Sequence, residues 1–167
     1  MSMLATDGSG EPKDLELDAG AGSLNVEWAW WLPPDGREIA FLGTIEDETS
    51  LYAIRVDGTG LRQIAPRGVN GVMSSSPDGT RAAYSTRVED PLPRSEVRIL
   101  DLTTGSDVII RPEVNYAYDD SPVFSPDGTS ILFGRSGEYR AGMLMIAAAD
   151  GSGVARQVGP ASEGYAD

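Results

Sequence analysis

The residues with the most chemical potential in this sequence are two adjacent carboxylates behind an aromatic, Tyr118-Asp119-Asp120, and a crowd of three tryptophans, Trp28, Trp30 and Trp31. Neighbouring carboxylates where a strand begins can coordinate a cation or meet a basic group of a partner. The simpler expectation is that such Asp side chains bond nearby backbone donors. Tryptophans on one strand can stack a sugar or anchor a peptide, but packing between layers of sheet is the commoner use of aromatics. Strand alternation puts Trp28 and Trp30 on one side and Trp31 on the other. Tyr116, Arg135 and Tyr139 fall in polar connecting segments, and Tyr and Arg are types favoured where proteins bind one another. The candidate binding set is therefore Trp28, Trp30, Tyr116, Tyr118, Asp119, Asp120, Arg135 and Tyr139.

Other chemistry is excluded by residue type. The sequence has no histidine and no cysteine, which removes the usual general base, the commonest metal ligand, the thiolate nucleophile and any disulfide. No G-x-S-x-G elbow, P-loop, G-x-G-x-x-G or EF-hand loop occurs. Carboxylates alone can hydrolyse glycosides, yet those present fall at turn and loop positions. The expectation is no catalytic residue, no metal and no cofactor. The formal net charge is −13, from 26 acidic and 13 basic residues, which disfavours a nucleic-acid partner and suits a soluble chain that meets a basic protein surface. No apolar run approaches the roughly 20 residues that span a bilayer, so no membrane insertion is expected. The first residues, Met1 to Asp7, lack the charged and apolar regions of a signal peptide.

The elements that must position these residues are announced by two alternating turn motifs. Pro-Asp-Gly occurs at Pro34-Asp35-Gly36, Pro77-Asp78-Gly79 and Pro126-Asp127-Gly128. Between these come Asp7-Gly8-Ser9-Gly10, Asp57-Gly58-Thr59-Gly60, Thr103-Thr104-Gly105 and Asp150-Gly151-Ser152-Gly153. Pro presets φ, Asp bonds its own backbone and Gly takes the positive φ that reverses the chain. Each turn joins short apolar runs of strand type. Glu38–Leu42, Arg81–Ser85 and Ser130–Gly134 follow Pro-Asp-Gly, and Leu51–Val56, Glu96–Leu100 and Met143–Ile146 come next. Shorter fourth strands are expected at Leu61–Ile64, Asp107–Ile110 and Ala155–Val158. No stretch shows a capped 3.6-residue period, so almost no helix is expected. Four short antiparallel strands in each unit of about 45 residues make one blade of a β-propeller. The connections between second and third strands, 44–49, 87–94 and 135–140, would form a polar rim together with the segment 115–118.

At these residues the sequence resembles the TolB-type β-propeller repeat family, whose blades open with Asp-x-Pro-x-aromatic-Ser-Pro-Asp-Gly. The third unit matches best, with Asp120-Ser121-Pro122-Val123-Phe124-Ser125-Pro126-Asp127-Gly128. The first begins through Trp28-Ala29-Trp30-Trp31-Leu32-Pro33, and the second through Val72-Met73-Ser74-Ser75-Ser76. The resemblance implies an all-β propeller of four-stranded antiparallel blades. Blades are expected at 24–65, 70–111 and 117–159, with an outer half-blade at 1–18 and a lead-in to another blade at 160–167. It implies a non-catalytic module that binds a protein partner through its loop face, and a periplasmic or other extracytoplasmic setting. Related propellers also shield the active sites of prolyl oligopeptidase-like hydrolases, and others bind carbohydrate, a role for which Trp28 and Trp30 would be the platform. Closed propellers usually have four to eight blades. Three and a half blades would leave apolar blade faces and a strand edge uncovered, which invites self-association.

Overall fold

The structure, a computed structural model, describes residues 2–3, 13–14, 24–45, 48–65, 68–69, 73–89, 93–110, 117–137 and 140–159. It is all-β, with no helix among the described residues. The chain divides into two compact units, Met1–Arg67 and Gly68–Asp167.

In the first unit, β1 (Ser2–Met3) pairs antiparallel with β2 (Lys13–Asp14). β3 (Asn25–Leu32), β4 (Glu38–Ile45), β5 (Glu48–Arg55) and β6 (Arg62–Gln63) form a four-stranded antiparallel sheet in chain order. Ile39, Phe41 and Ile54 line one face, with Leu24, Val26, Tyr52, Val56 and Leu61 against them. Phe41 stacks on Tyr52 with centroids 5.6 Å apart.

The second unit holds two such meanders. One runs through β7 (Ser74–Ser75), β8 (Arg81–Val88), β9 (Arg94–Asp101) and β10 (Asp107–Ile109). The other runs through β11 (Ala117–Phe124), β12 (Ser130–Gly137), β13 (Arg140–Ala148) and β14 (Arg156–Val158). A parallel bridge, Tyr118 to Ser95, links β11 to β9. The core of the unit lies between the two meanders. Ala83, Val97, Ile99 and Ile110 come from the first, and Phe124, Ile131, Phe133, Met145 and Ala147 from the second. Each large side chain buried there is worth roughly 1.5–3 kcal/mol. Arg81 spans the same seam. Its guanidinium donates to the carbonyls of Gly128 (2.7 Å) and Ala149 (3.2 Å) and lies 5.3 Å from the centre of the Phe124 ring.

The turns form as the residue types dictate. In Ser76-Pro77-Asp78-Gly79, the Asp78 carboxylate accepts from the Ser76 hydroxyl and from the Thr80 amide and hydroxyl, while Gly79 takes φ 72°. Ser125, Asp127, Thr129 and Gly128 repeat the arrangement, with Gly128 also at 72°. The strands outrun their apolar centres, however. Thr44 and Thr49 were expected in a connection but pair with each other across β4 and β5, their hydroxyls 2.9 Å apart. Arg87 likewise lies in β8, and Arg135 in β12. Hydrophobic patterning reports only the part of a strand that is buried. Backbone pairing carries the hairpins further, into polar residues.

Candidate functional site

The candidate residues of the second unit meet where β11 begins. β11 carries a bulge: Asp120 pairs with Gly134 and the next pair is Val123 with Leu132, so Ser121 and Pro122 stand opposite one residue. Ser121 takes φ 52° there, and Pro122 is fully buried. Alternation on either side of the bulge sorts the side chains. Asp119 and Phe124 point to the inner face, towards β9, and Tyr118, Asp120 and Val123 to the outer face.

Asp119 stands directly across from Arg135. Arg135 Nε donates to Asp119 Oδ1 at 2.7 Å and Nη2 to Oδ2 at 2.9 Å, a bidentate pair between residues 0% and 3% exposed. The guanidinium lies 5.5 Å from the centre of the Phe133 ring, and Ser95 Oγ donates to the Asp119 carbonyl at 2.9 Å. Burial pushes the Asp119 carboxyl above its ordinary value, against the pull of Arg135, and the Asp120 and Glu96 carboxylates push the same way. Both Asp119 oxygens are thus taken by a side chain rather than by backbone donors. Because Asp120 faces the opposite side, the two carboxylates do not converge on one cation. Among the described residues no group of three or more acidic side chains is placed to hold a metal ion.

The candidate set therefore separates. Asp119 and Arg135 form an internal pin. Tyr118 (38% exposed) and Asp120 are presented outward. Tyr116 and Tyr139 lie outside the described residues. In the first unit, the register of β3 with β4 keeps Trp28 and Trp30 on one face and Trp31 on the other, as alternation requires. Burial departs from the expected inter-blade packing: Trp28 is 59% and Trp31 57% exposed, while Trp30 is half-buried. Trp30 Nε1 is buried without a hydrogen-bond partner among the described residues. Trp28 and Trp31 sit on opposite faces, so they cannot both stack on one ring.

One network was not anticipated. Along one face of β9, Glu96 (7% exposed) is paired by Arg94 at 2.9 Å and Arg98 at 3.4 Å. Arg98 also reaches Asp107 of β10 at 2.7 Å, and the Tyr84 hydroxyl donates to the same carboxylate at 3.3 Å. Burial pushes the Tyr84 phenol up to about 12. The signal was available: Arg94, Glu96 and Arg98 alternate in charge at every second residue, so a strand aligns them on one face.

Solved structures with this geometry are propellers. A protein described as TolB from Agrobacterium tumefaciens matches 96% of this chain at 21% identity and a TM-score of 0.71. The fold is that of a TolB-like β-propeller. A prolyl endopeptidase matches 93% of the chain at 18% identity and a TM-score of 0.69. The β-propeller domain of the Trilobed protease from Pyrococcus furiosus, which has an open velcro topology, matches 81% at 18% identity and a TM-score of 0.60. Among protein-family models and curated proteins, none matches this sequence. The chain spans 55% of the Agrobacterium chain and 25% and 43% of the other two. At these identities the likeness establishes the blades of a propeller, a fold that carries many functions.

Proposed function

We propose that this propeller is a non-catalytic binding module that recognises a protein partner on the rim where β11 begins, with residues 24–65, 70–111 and 117–159 as its blades. The observation that carries the reading is the buried Asp119–Arg135 pair beneath the exposed Tyr118 and Asp120. The pair ties β11 to β12 without using any of the outward groups. Recognition benefits from such fixed anchors, because little conformational freedom is lost on binding. An exposed Tyr beside a carboxylate suits a partner with an apolar patch flanked by a basic side chain. Lack of histidine and cysteine, together with the engagement of the buried carboxylate by Arg135, supports a role without catalysis.

The test is affinity capture from an extract of the source cells, with the native chain beside a Tyr118→Ala/Asp120→Ala double variant. The expected result is a protein retained by the native chain and lost with the variant, whose thermal midpoint is unchanged. Equal retention by both would overturn the rim assignment. A second reading, favoured by the likeness to prolyl endopeptidase and Trilobed protease propellers, is that the blades accompany a peptidase domain. Hydrolysis of proline-containing peptides by the full-length protein, abolished by a serine-directed inhibitor, would decide for it.

A further inference from the structure

Asp-Gly occurs six times in the sequence, and five of these pairs, at Asp35, Asp57, Asp78, Asp127 and Asp150, fall in turns between strands. The sixth, Asp7-Gly8, lies outside the described residues. The dipeptide can react with itself, because the glycine nitrogen lies close to the aspartate carboxyl carbon and glycine has no Cβ to hinder the approach. How readily it does so depends on how firmly the fold holds the nitrogen and the carboxylate. In four turns both are held. The amides of Gly58, Gly79, Gly128 and Gly151 each donate to the carbonyl three residues earlier, on Arg55, Ser76, Ser125 and Ala148, at 2.8–3.3 Å. Hydroxyls pin the carboxylates as well. Asp78 accepts from Ser76 and Thr80, Asp127 from Ser125 and Thr129, and both are held down to about 2. Asp57 accepts from the Thr59 hydroxyl at 2.7 Å, and the Ser152 hydroxyl holds the Asp150 carboxyl below its ordinary value.

The turn between β3 and β4 lacks both restraints. The Gly36 amide donates to no carbonyl among the described residues. Asp35 has Pro33 and Arg37 at the positions where Asp78 and Asp127 have Ser and Thr. Its carboxylate, 56% exposed, accepts from the Arg37 amide at 3.0 Å, and Arg37 Nε stands 3.6 Å away on a side chain that is itself exposed, a weak ion pair. All five glycines take positive φ, between 62° and 86°, so backbone shape does not separate them. We propose that Asp35-Gly36 is a modification site, at which the folded chain closes to a succinimide and reopens as a β-linked isoaspartate. The Gly36 nitrogen bonds to Asp35 Cγ, and the amide proton leaves with the carboxyl hydroxyl as one water. Water then adds back. Cleavage at Cγ restores Asp35, whereas cleavage at the main-chain carbonyl carbon leaves Gly36 joined through Cγ, with one carbon added to the backbone between β3 and β4. The only co-reactant is solvent water. This site is independent of the partner rim, which lies on β11.

The test is to incubate the full chain at mildly acidic pH, folded and in urea, and to map its peptides by electron-transfer fragmentation, which distinguishes the two linkages at each Asp. In the folded chain, isoaspartate at Asp35 is expected to form at least about tenfold faster than at Asp57 or Asp150, and to lead Asp78 and Asp127 by more, because each hydrogen bond to a charged group that must be released slows the reaction by about that factor. In urea the five rates should converge, since the dipeptide is the same. Pro33→Ser/Arg37→Thr, which supplies hydroxyls at both positions, should slow Asp35 several-fold in the folded chain. Equal rates at the five sites in the folded chain would overturn the inference. So would a lead for Asp35 that persists undiminished in urea, because it would belong to local sequence rather than to the fold.

Discussion

On one face of the third blade Phe124, Ile131, Phe133 and Met145 press against Ala83, Val97, Ile99 and Ile110 of its neighbour, and on the other Leu132, Leu144, Ile146 and Val158 lie partly open. The strands are the same and so is the alternation. What differs is that the closed face also takes in a charge pair, Asp119–Arg135, whereas Asp120 on the open face remains in solvent. A blade face is thus made apolar by its repeat and made rigid by its neighbour. Substitutions one residue apart on β11 should break this contrast most sharply. Asp119→Ala leaves the Arg135 guanidinium buried and unpaired, at a cost of about 3–5 kcal/mol. Asp120→Ala should stay within about 0.5 kcal/mol of the native chain. Urea denaturation of both measures the difference.

The same contrast holds for apolar residues. Phe133→Ala opens a cavity in the closed face and should cost about 3–5 kcal/mol. Leu144→Ala removes a side chain already half in water and should cost about 1 kcal/mol or less. Arg81 tests how the closed face is sealed at its turn end. Its two bonds to Gly128 and Ala149 and its contact with Phe124 disappear together in Arg81→Ala, for a loss of about 2 kcal/mol. Arg81→Lys should recover only part of it, because an ammonium cannot reach two carbonyls from a flat ring-stacked position. Calorimetric midpoints of the three chains give the order.

Turn chemistry made the blades legible from sequence. Asp78 and Asp127 sit in hairpins with the hydrogen bonds their types predict, and the strands after them follow as expected, with no helix among the described residues. The rim was less legible, for two physical reasons. First, the bulge at Ser121-Pro122 lies in a short polar stretch whose composition does not show which side chain goes inward, so Asp119 and Asp120 read as one site. Second, Arg135 read as a loop residue because polar residues surround it, whereas backbone pairing carries β12 past it and its charge is buried by a partner sixteen residues earlier. Exposure of Trp28 and Trp31 was equally hidden, since composition cannot tell whether an aromatic strand has a neighbour to cover it.

The smallest effect concerns the turns that aim the strands. The hydroxyls of Ser76 and Ser125, then the Thr80 and Thr129 amides and hydroxyls, hold the Asp78 and Asp127 carboxyls down to about 2. The corresponding first-blade turn has Pro33 in place of the serine, and Asp35 accepts from the Arg37 amide without a hydroxyl partner at that position. A carboxyl depressed in the folded chain binds its proton more readily in the unfolded chain. Its stabilisation is therefore present above the ordinary Asp value of about 4 and is lost as pH falls through about 2. Ser125→Ala removes the hydroxyl that serves Asp127, the Ser130 amide and the Ser130 carbonyl. It should cost about 1 kcal/mol at neutral pH. Because Asp127 then titrates nearer its ordinary value, the gap to the native chain should narrow between about pH 4 and pH 2. Urea midpoints taken across that range test the assignment, and a gap independent of pH would detach the serine from the carboxylate it is said to hold.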